Sequence, residues 1–161
     1  MRAPGNEACR RLRPASTGVI ALPPVPPPAV EIDIPEVKSE LEAVFARYEA
    51  ALVTNDVATL DTLFFDAPST IRYGEKENLY GFAEIAAFRA RRSPLFLGRK
   101  LERTVITTFG RDYGVASTLY RRESAAGRLG RQSQTWVRFP DGWKIVAAHV
   151  SAIDDPGTAS G

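Results

Sequence analysis

Residues 130–151 read GRQSQTWVRFPDGWKIVAAHVS, and this stretch decides the fold. Two segments in which apolar and polar side chains alternate flank Pro140-Asp141-Gly142, a tripeptide typical of a tight turn. The stretch therefore predicts a hairpin of two antiparallel strands, Gly130 to Phe139 and Trp143 to Ile153.

Strict alternation in the second strand would place five side chains on one face of the sheet: Trp143, Ile145, Ala147, His149 and Ser151. Such a face favours a pocket wall that is apolar at depth and polar at its mouth. The alternative is a sheet edge at which His149 meets solvent or a backbone partner. His149 is the only histidine, and with an ordinary pKa of about 6.5 it is the best proton carrier available. Beside arginines it would act as a base or as a neutral donor.

The chain before this hairpin changes from helical to alternating periodicity after Arg99. Helices are predicted over residues 36–54, after Asp56 as an N-cap, and over about 82–92. The apolar stripe of the first helix, which includes Phe45, Tyr48 and Leu52, is expected to belong to the core. Strands are predicted over 70–73, 101–109 and 114–123. This order predicts an α+β fold in which three N-terminal helices pack on a curved antiparallel sheet, forming a cone with an interior pocket.

The two ends of the chain differ in composition from its middle. Residues 1–35 are rich in Arg and Ala and then in Pro, which predicts a disordered lead-in, with a proline-motif ligand as the alternative. The run from Val19 to Leu22 is too short for a signal peptide or a membrane span. We therefore predict one domain over 36–153, a disordered tail over 154–161, and an unchanged melting temperature when residues 1–33 are deleted.

Composition limits the classes of function. A single cysteine, Cys9, excludes an internal disulfide and a cysteine-based zinc site and favours the cytoplasm. With one histidine as well, we predict no metal, and no motif for an organic cofactor is present. The net charge of +2 does not indicate a nucleic-acid or membrane partner. From Arg89 to Arg131, however, the sequence contains ten Arg and one Lys but three acidic residues. This local excess of positive charge indicates either a solvated basic surface or a funnel for a small anion.

Eight short strings carry a family resemblance, and they occur in this order: YEAALVTND (48–56), LDTLFF (60–65), TIRYG (70–74), ENLYG (77–81), FRARR (88–92), TVITTFG (104–110), GRQSQTW (130–136) and WKIVAAHVS (143–151). Together they resemble the AtzH-like (HpxZ) branch of the NTF2-like (SnoaL-like) superfamily over residues 36–153. The resemblance implies a role in catabolism of small ureido acids, namely oxalurate in purine breakdown or carboxylated ureas in triazine breakdown. It therefore implies a small, flat, anionic amide or carbamate ligand.

Several side chains are candidates for binding such a ligand. Arg72 lies on a short strand before a turn, and its planar fork suits a carboxylate, although a surface ion pair is the alternative. Arg89 and Arg92 are three residues apart on the third helix, so one of them is expected to face the pocket. Glu77 fits a general base or a partner that orients an arginine, and the alternative is a solvated loop acid. Tyr80 can donate its phenol to a carbonyl oxygen or simply pack.

Gln132, Gln134 and Trp136 alternate onto one strand face. A buried amide must find partners, so these residues indicate either recognition of a ureido group or a polar dimer interface. Ser151 lacks the context of a nucleophile.

Two classes of function follow. The first is an enzyme that decarboxylates a carboxylated urea, or hydrolyses an amide C–N bond, without a cofactor. Arg72 and Arg89 or Arg92 would clamp the anion, Gln134 and Trp136 would bind it, and His149 would handle the proton with Tyr80 or Glu77. The second is a non-catalytic, dimeric accessory module that holds the ligand or partners an amidase. Convergence of Arg72, Gln134 and His149 in the cone would favour the enzyme, whereas an outward-facing Gln132, Gln134 and Trp136 would favour the interface.

Overall fold

The computed structural model of the protein describes residues 29–95 and 97–157. The α-helices are α1 (Pro35–Val53), α2 (Val57–Thr62) and α3 (Phe82–Arg91). The strands are β1 (Ile71–Tyr73), β2 (Asn78–Tyr80), β3 (Lys100–Phe109), β4 (Tyr113–Arg121), β5 (Arg128–Phe139) and β6 (Gly142–Asp154), with a 3-10 turn at Glu123–Ala125. The predicted α+β class is confirmed, and β2 is an element that the sequence did not indicate.

The first two helices form for local reasons. Pro35 opens α1, where its missing N–H costs nothing. The helix then buries one stripe: Val37, Leu41, Phe45, Tyr48, Ala51 and Leu52. Asp56 caps α2 by accepting a hydrogen bond from the N–H of Thr59 at 3.0 Å, as predicted. No helix within the described residues is long and apolar enough to span a membrane.

The six strands form one sheet in the order β2-β1-β6-β5-β4-β3. The meander from β3 to β6 is antiparallel, as predicted. The short strand β1 instead joins β6 in parallel, with Arg72 opposite Ala148 and Tyr73 opposite His149. The helices cover the inner face of this sheet, and the hydrophobic core lies between them.

A β-bulge in β6 changes which side chains face the core. Thr135 pairs with Ala147, but the next residue, Trp136, pairs with Ile145, so Val146 is an extra residue without a partner. An extra residue shifts the alternation by one and bends the strand.

The predicted common face of β6 is therefore wrong. Trp143 and Ile145 are buried before the bulge, whereas Ala148 is buried after it. His149 consequently lies exposed on the outer face of the sheet. Alternation alone could not reveal this change, because the bulge depends on pairing with β5.

The folded contacts begin before the predicted bound at residue 36. The N–H of Asp33 donates to the carbonyl of Thr108 at 3.0 Å, and the N–H of Thr108 donates to Asp33 Oδ1 at 2.9 Å. The carbonyl of Glu31 accepts from Gly110, and Ile34 is buried. We therefore revise the expectation that residues up to 33 can be deleted without effect on stability.

The contacts also continue past the predicted bound at residue 153. Asp155 is buried, its carboxylate pairs with Arg121, and its N–H donates to the carbonyl of Gly127 at 2.8 Å. Residues 1–28 and 158–161 lie outside the described residues, so the predicted Pro-rich segment and the end of the tail stay predictions.

Asp33 provides a test of the docked N-terminal segment. Lys38 and the N–H of Thr108 hold the pKa of Asp33 below its ordinary value of 3.8, and its φ of +57° is one that Asn tolerates better than Ala. We expect Asp33→Ala to lower the melting temperature at neutral pH. Asp33→Asn should lower it less, because the amide retains an acceptor for Thr108.

The pH dependence of this effect has a defined sign. Because the pKa of Asp33 is lowered by folding, its contribution is present above the unfolded pKa and is lost as the pH falls through the folded pKa. The difference in melting temperature between the wild type and Asp33→Ala should therefore narrow on acidification below about pH 4. A constant difference would contradict the role of the charged carboxylate.

Candidate functional site

Four arginines converge on the interior of the cone, each from a different part of the fold. Arg72 comes from β1, Arg89 and Arg92 from the C-terminal end of α3, and Arg99 from the loop before β3. The Arg89 side chain is 4% exposed and that of Arg99 only 1%. Burying a guanidinium lowers the stability of the protein unless it is paired. The partners of each arginine therefore determine whether its positive charge remains available to a ligand.

Arg72 and Arg89 each have one carboxylate partner among the residues described. Arg72 Nη1 donates to Glu77 Oε1 at 2.5 Å, and Arg89 Nη1 donates to Asp61 Oδ1 at 2.7 Å. The Arg89 guanidinium also lies 4.0 Å from the centroid of the Phe64 ring. Burial lowers the pKa of Arg89, and the hydrogen bond that Arg89 donates to Asp61 opposes that shift. Glu77 is thus an orienting partner of Arg72, one of its two predicted roles.

Arg99 belongs to a network that also satisfies Gln132. Its Nη2 donates to Glu49 Oε1 at 2.5 Å and to Gln132 Oε1 at 3.0 Å. Gln132 Nε2 in turn donates to Glu49 Oε1 at 3.2 Å. Both atoms of the Gln132 amide are therefore bonded within the protein.

Gln134 differs, although it lies two residues further along the same inner face. It is 1% exposed, and neither its Oε1 nor its Nε2 has a hydrogen-bond partner among residues 29–95 and 97–157. The indole Nε1 of the neighbouring Trp136 is also buried without a partner in that part of the chain. Each such atom costs about 1–3 kcal/mol, so buried polar groups without partners are rare. Three such atoms on one wall, from Gln134 and Trp136, indicate a place suited to a polar molecule.

Arg92 adds positive charge that no carboxylate neutralises within the described residues. Its Nη2 donates to the neutral Asn55 Oδ1 at 2.9 Å, while its buried Nε has no partner there. Burial lowers the pKa of Arg92, and the nearby charges of Arg72, Arg89 and Arg122 lower it further. This mutual repulsion would be relieved by an anion, so the interior is suited to a carboxylate.

Tyr48 is a site residue that the sequence analysis missed. Its position in the apolar stripe of α1 indicated packing, and its ring does pack edge-on against Trp136, with centroids 6.3 Å apart. The side chain also interacts electrostatically with Arg89 and Arg92. Its hydroxyl has no hydrogen-bond partner in the described part of the chain, so it can donate to a ligand. A tyrosine in an otherwise apolar stripe was the available signal.

Tyr120 is a second residue that was missed. Its hydroxyl donates to Glu75 Oε1 at 3.0 Å, and its ring lies 4.6 Å from the Arg99 guanidinium and 5.3 Å from that of Arg122. Burial, followed by the charge of Glu75, raises the pKa of Tyr120 to about 12. Tyr120 is therefore a neutral phenol at physiological pH, and its ring contacts two cations.

Two predicted proton carriers lie away from this interior. His149 is on the outer face of the sheet, near Tyr73, with ring centroids 6.2 Å apart. Tyr80 is 58% exposed, and its hydroxyl is 3.3 Å from that of Tyr73. Arg72, Gln134 and His149, whose convergence would have favoured the enzyme, do not converge, because the bulge in β6 turns His149 outward.

The remaining predicted residues do meet. Arg89 and Arg92 both face the interior, although only one was expected to, and Gln134 and Trp136 lie on the inner wall. Gln132, Gln134 and Trp136 face inward, whereas an outward position would have favoured a dimer interface at these residues. Within the described residues, no three His, Cys, Asp or Glu side chains group closely enough to hold a metal ion.

The AtzH-like family model matches residues 30–156. The chain belongs to the AtzH-like family. No curated protein matches it. A DUF3225-family protein of unknown function from Pectobacterium atrosepticum is 51% identical, with a TM-score of 0.75, over 76% of this chain and 95% of the other.

Two further solved structures are similar to this AtzH-like protein. A cystatin-like fold protein from Burkholderia xenovorans is 46% identical, with a TM-score of 0.76, over 80% of this chain and 100% of the other. An NTF2-like superfamily protein from Salmonella enterica serovar Typhimurium is 26% identical, with a TM-score of 0.59, over 78% and 97% of the two chains. These neighbours confirm the predicted NTF2-like fold.

Gly130 tests the packing of Tyr120. A Cβ on Gly130 would lie 2.1 Å from Cζ of Tyr120, so the ring would have to move from its place beside Arg99 and Arg122. We expect Gly130→Ala to lower the free energy of unfolding by about 1–3 kcal/mol in chemical denaturation. Gly98→Ala is the control, because its Cβ would meet nothing within 4 Å and should change stability by less than about 0.5 kcal/mol. Equal stability of both variants would contradict this packing.

Proposed function

We propose that this AtzH-like protein binds a small, flat, anionic ureido acid in the interior of the cone, either oxalurate or a carboxylated urea. The observation that carries the proposal is the buried Gln134 amide, which has both polar atoms free among the described residues and lies on the wall that the arginines face. A primary amide offers one acceptor and two donors, which complement the N–H and C=O groups of a ureido ligand.

The arginines supply the matching charge. Arg92 keeps its charge available, since its hydrogen-bonded partner is the neutral Asn55. Arg72 is held by Glu77 and keeps other N–H donors for a carboxylate. A guanidinium fork binds a carboxylate through parallel charge-assisted hydrogen bonds, so these two residues form the clamp.

Decarboxylation is the reaction that this chemistry favours. Loss of CO2 from an N-carboxylated urea breaks the N–C bond and leaves the electron pair on nitrogen, delocalised onto the adjacent carbonyl oxygen. Buried arginines stabilise that developing anion. The nitrogen then takes one proton, and the Tyr48 hydroxyl, beside Arg89 and Arg92, is the donor that the interior provides. Hydrolysis of an amide C–N bond is the alternative reaction at the same clamp.

A non-catalytic accessory module is the second candidate function. It is favoured by the outward position of His149 and Tyr80, which leaves the interior with fewer proton carriers than expected. The outer sheet face would then be the contact surface, with a second copy or with a partner amidase. Val105, which is 61% exposed, and the small side chains of Ser117 and Ser133 leave this face open for a homodimer. Assignment to the HpxZ branch and to the cytoplasm belongs to the same proposal.

Gln134→Leu separates binding from folding. The substitution replaces an unsatisfied buried amide by an apolar side chain of similar size, so stability should stay equal or rise by about 1 kcal/mol. The affinity for oxalurate, measured by calorimetry, should fall at least tenfold, and so should CO2 or ammonia release from oxalurate and freshly generated carboxylated ureas.

The matched control is His149→Ala, which we expect to leave both affinity and turnover unchanged. Wild-type binding without any product release would favour the accessory module. If Gln134→Leu bound oxalurate as tightly as the wild type, or if His149→Ala abolished turnover, the interior would not be the functional site.

A further inference from the structure

A basic cleft lies between Gly98–Lys100 and Arg121–Ser124, and it shares Arg99 with the four arginines of the interior. It has a volume of about 570 Å³, which exceeds the volume that a small ureido acid needs. Four of its lining side chains are cationic: Arg99, Lys100, Arg121 and Arg122. Among the described lining residues, only Glu123 opposes them.

The partners of these cations determine which charges remain effective in the cleft. Arg121 is held by Glu102 and Asp155, and Arg99 by Glu49. Lys100 and Arg122 have no carboxylate partner in the described part of the chain. The cleft therefore carries an uncompensated positive charge at its surface.

Two side chains connect the cleft with the interior. Arg99 lines the cleft and also donates to Gln132 on the inner wall. Arg122 lines the cleft, lies over the Tyr120 ring, and is close enough to Arg92 to lower its pKa. Arg122 thus places positive charge at the inner end of the cleft, near Arg92 of the clamp.

We infer that the anionic ligand reaches the interior through this basic cleft, with Lys100 steering it electrostatically and Arg122 receiving it at the inner end. This inference rests on the proposed function and adds the access route of the same site. A positively charged channel accelerates the association of an anion and makes that rate sensitive to salt. A bulky side chain that obstructs the route lowers both rate constants, a surface charge that steers the ligand changes mainly the association rate constant, and a residue of the clamp changes mainly the dissociation rate constant.

The test uses the full chain and stopped-flow fluorescence of its tryptophans, with oxalurate as the probe. Ser124→Phe, on the exposed 3-10 turn, places a bulky side chain in the cleft. We expect the association and dissociation rate constants to fall together by at least tenfold, with the dissociation constant unchanged. Ala126→Phe is the matched control, since Ala126 is exposed directly after this turn and does not line the cleft. It should change neither rate.

Lys100→Ala should lower the association rate constant and leave the dissociation rate constant unchanged. The association rate constant of this variant should also fall less steeply with added salt than that of the wild type. An unchanged association rate in Ser124→Phe, in a protein whose wild type binds oxalurate, would overturn the access route and leave the proposed function standing. So would an effect of Ser124→Phe confined to dissociation, because Ser124 would then be a contact residue. If neither oxalurate nor a carboxylated urea bound to the wild type, the route and the proposed function would fall together.

Discussion

One extra residue in β6, Val146, determines which side chains enter the cone. The bulge bends the longest hairpin, and it exposes the backbone of Ile145 to the chain after α2. The N–H of Ile145 donates to the carbonyl of Leu63 at 2.8 Å, and the carbonyl of Ile145 accepts from Phe65 at 3.0 Å. After the bulge, the small Ala148 faces inward opposite Gln134. The bulge at Val146 thus causes three features. It bends the hairpin, it allows the segment after α2 to bond to Ile145, and it determines which side chains line the inner wall.

The polar and charged side chains of the interior lower the stability of the protein, and the proposed ligand would offset part of that loss. An ordinary core would place an apolar side chain where Gln134 lies, and it would not gather Arg72, Arg89 and Arg92 in one buried region. The protein compensates part of this cost with Glu77, Asp61 and Asn55, but it leaves the Gln134 amide and the Arg92 Nε without partners among the described residues. A small anionic amide would satisfy both defects at once.

Local signals predicted much of the fold. The Asp56 cap, the stripe of α1 and the turn at Pro140–Gly142 each depend on residues close in sequence, so the predicted elements agree with the structure within a few residues. The bulge at Val146 depends on how β6 pairs with β5, and the parallel pairing of β1 depends on contacts more than seventy residues apart. Tyr48 was assigned to the core because its spacing is that of the core, and only α3 and β5 reveal its polar surroundings.

The most direct measurement of the interior site is an NMR titration of the wild type with oxalurate. The side-chain NH2 signals of Gln134 are assigned by comparison with Gln134→Leu, and the His149 imidazole signals are unambiguous because the chain has one histidine. We expect the Gln134 signals to shift with saturation while the His149 signals stay unchanged. A shift of the His149 signals with no change at Gln134 would contradict an interior site and move ligand binding to the outer face of the sheet.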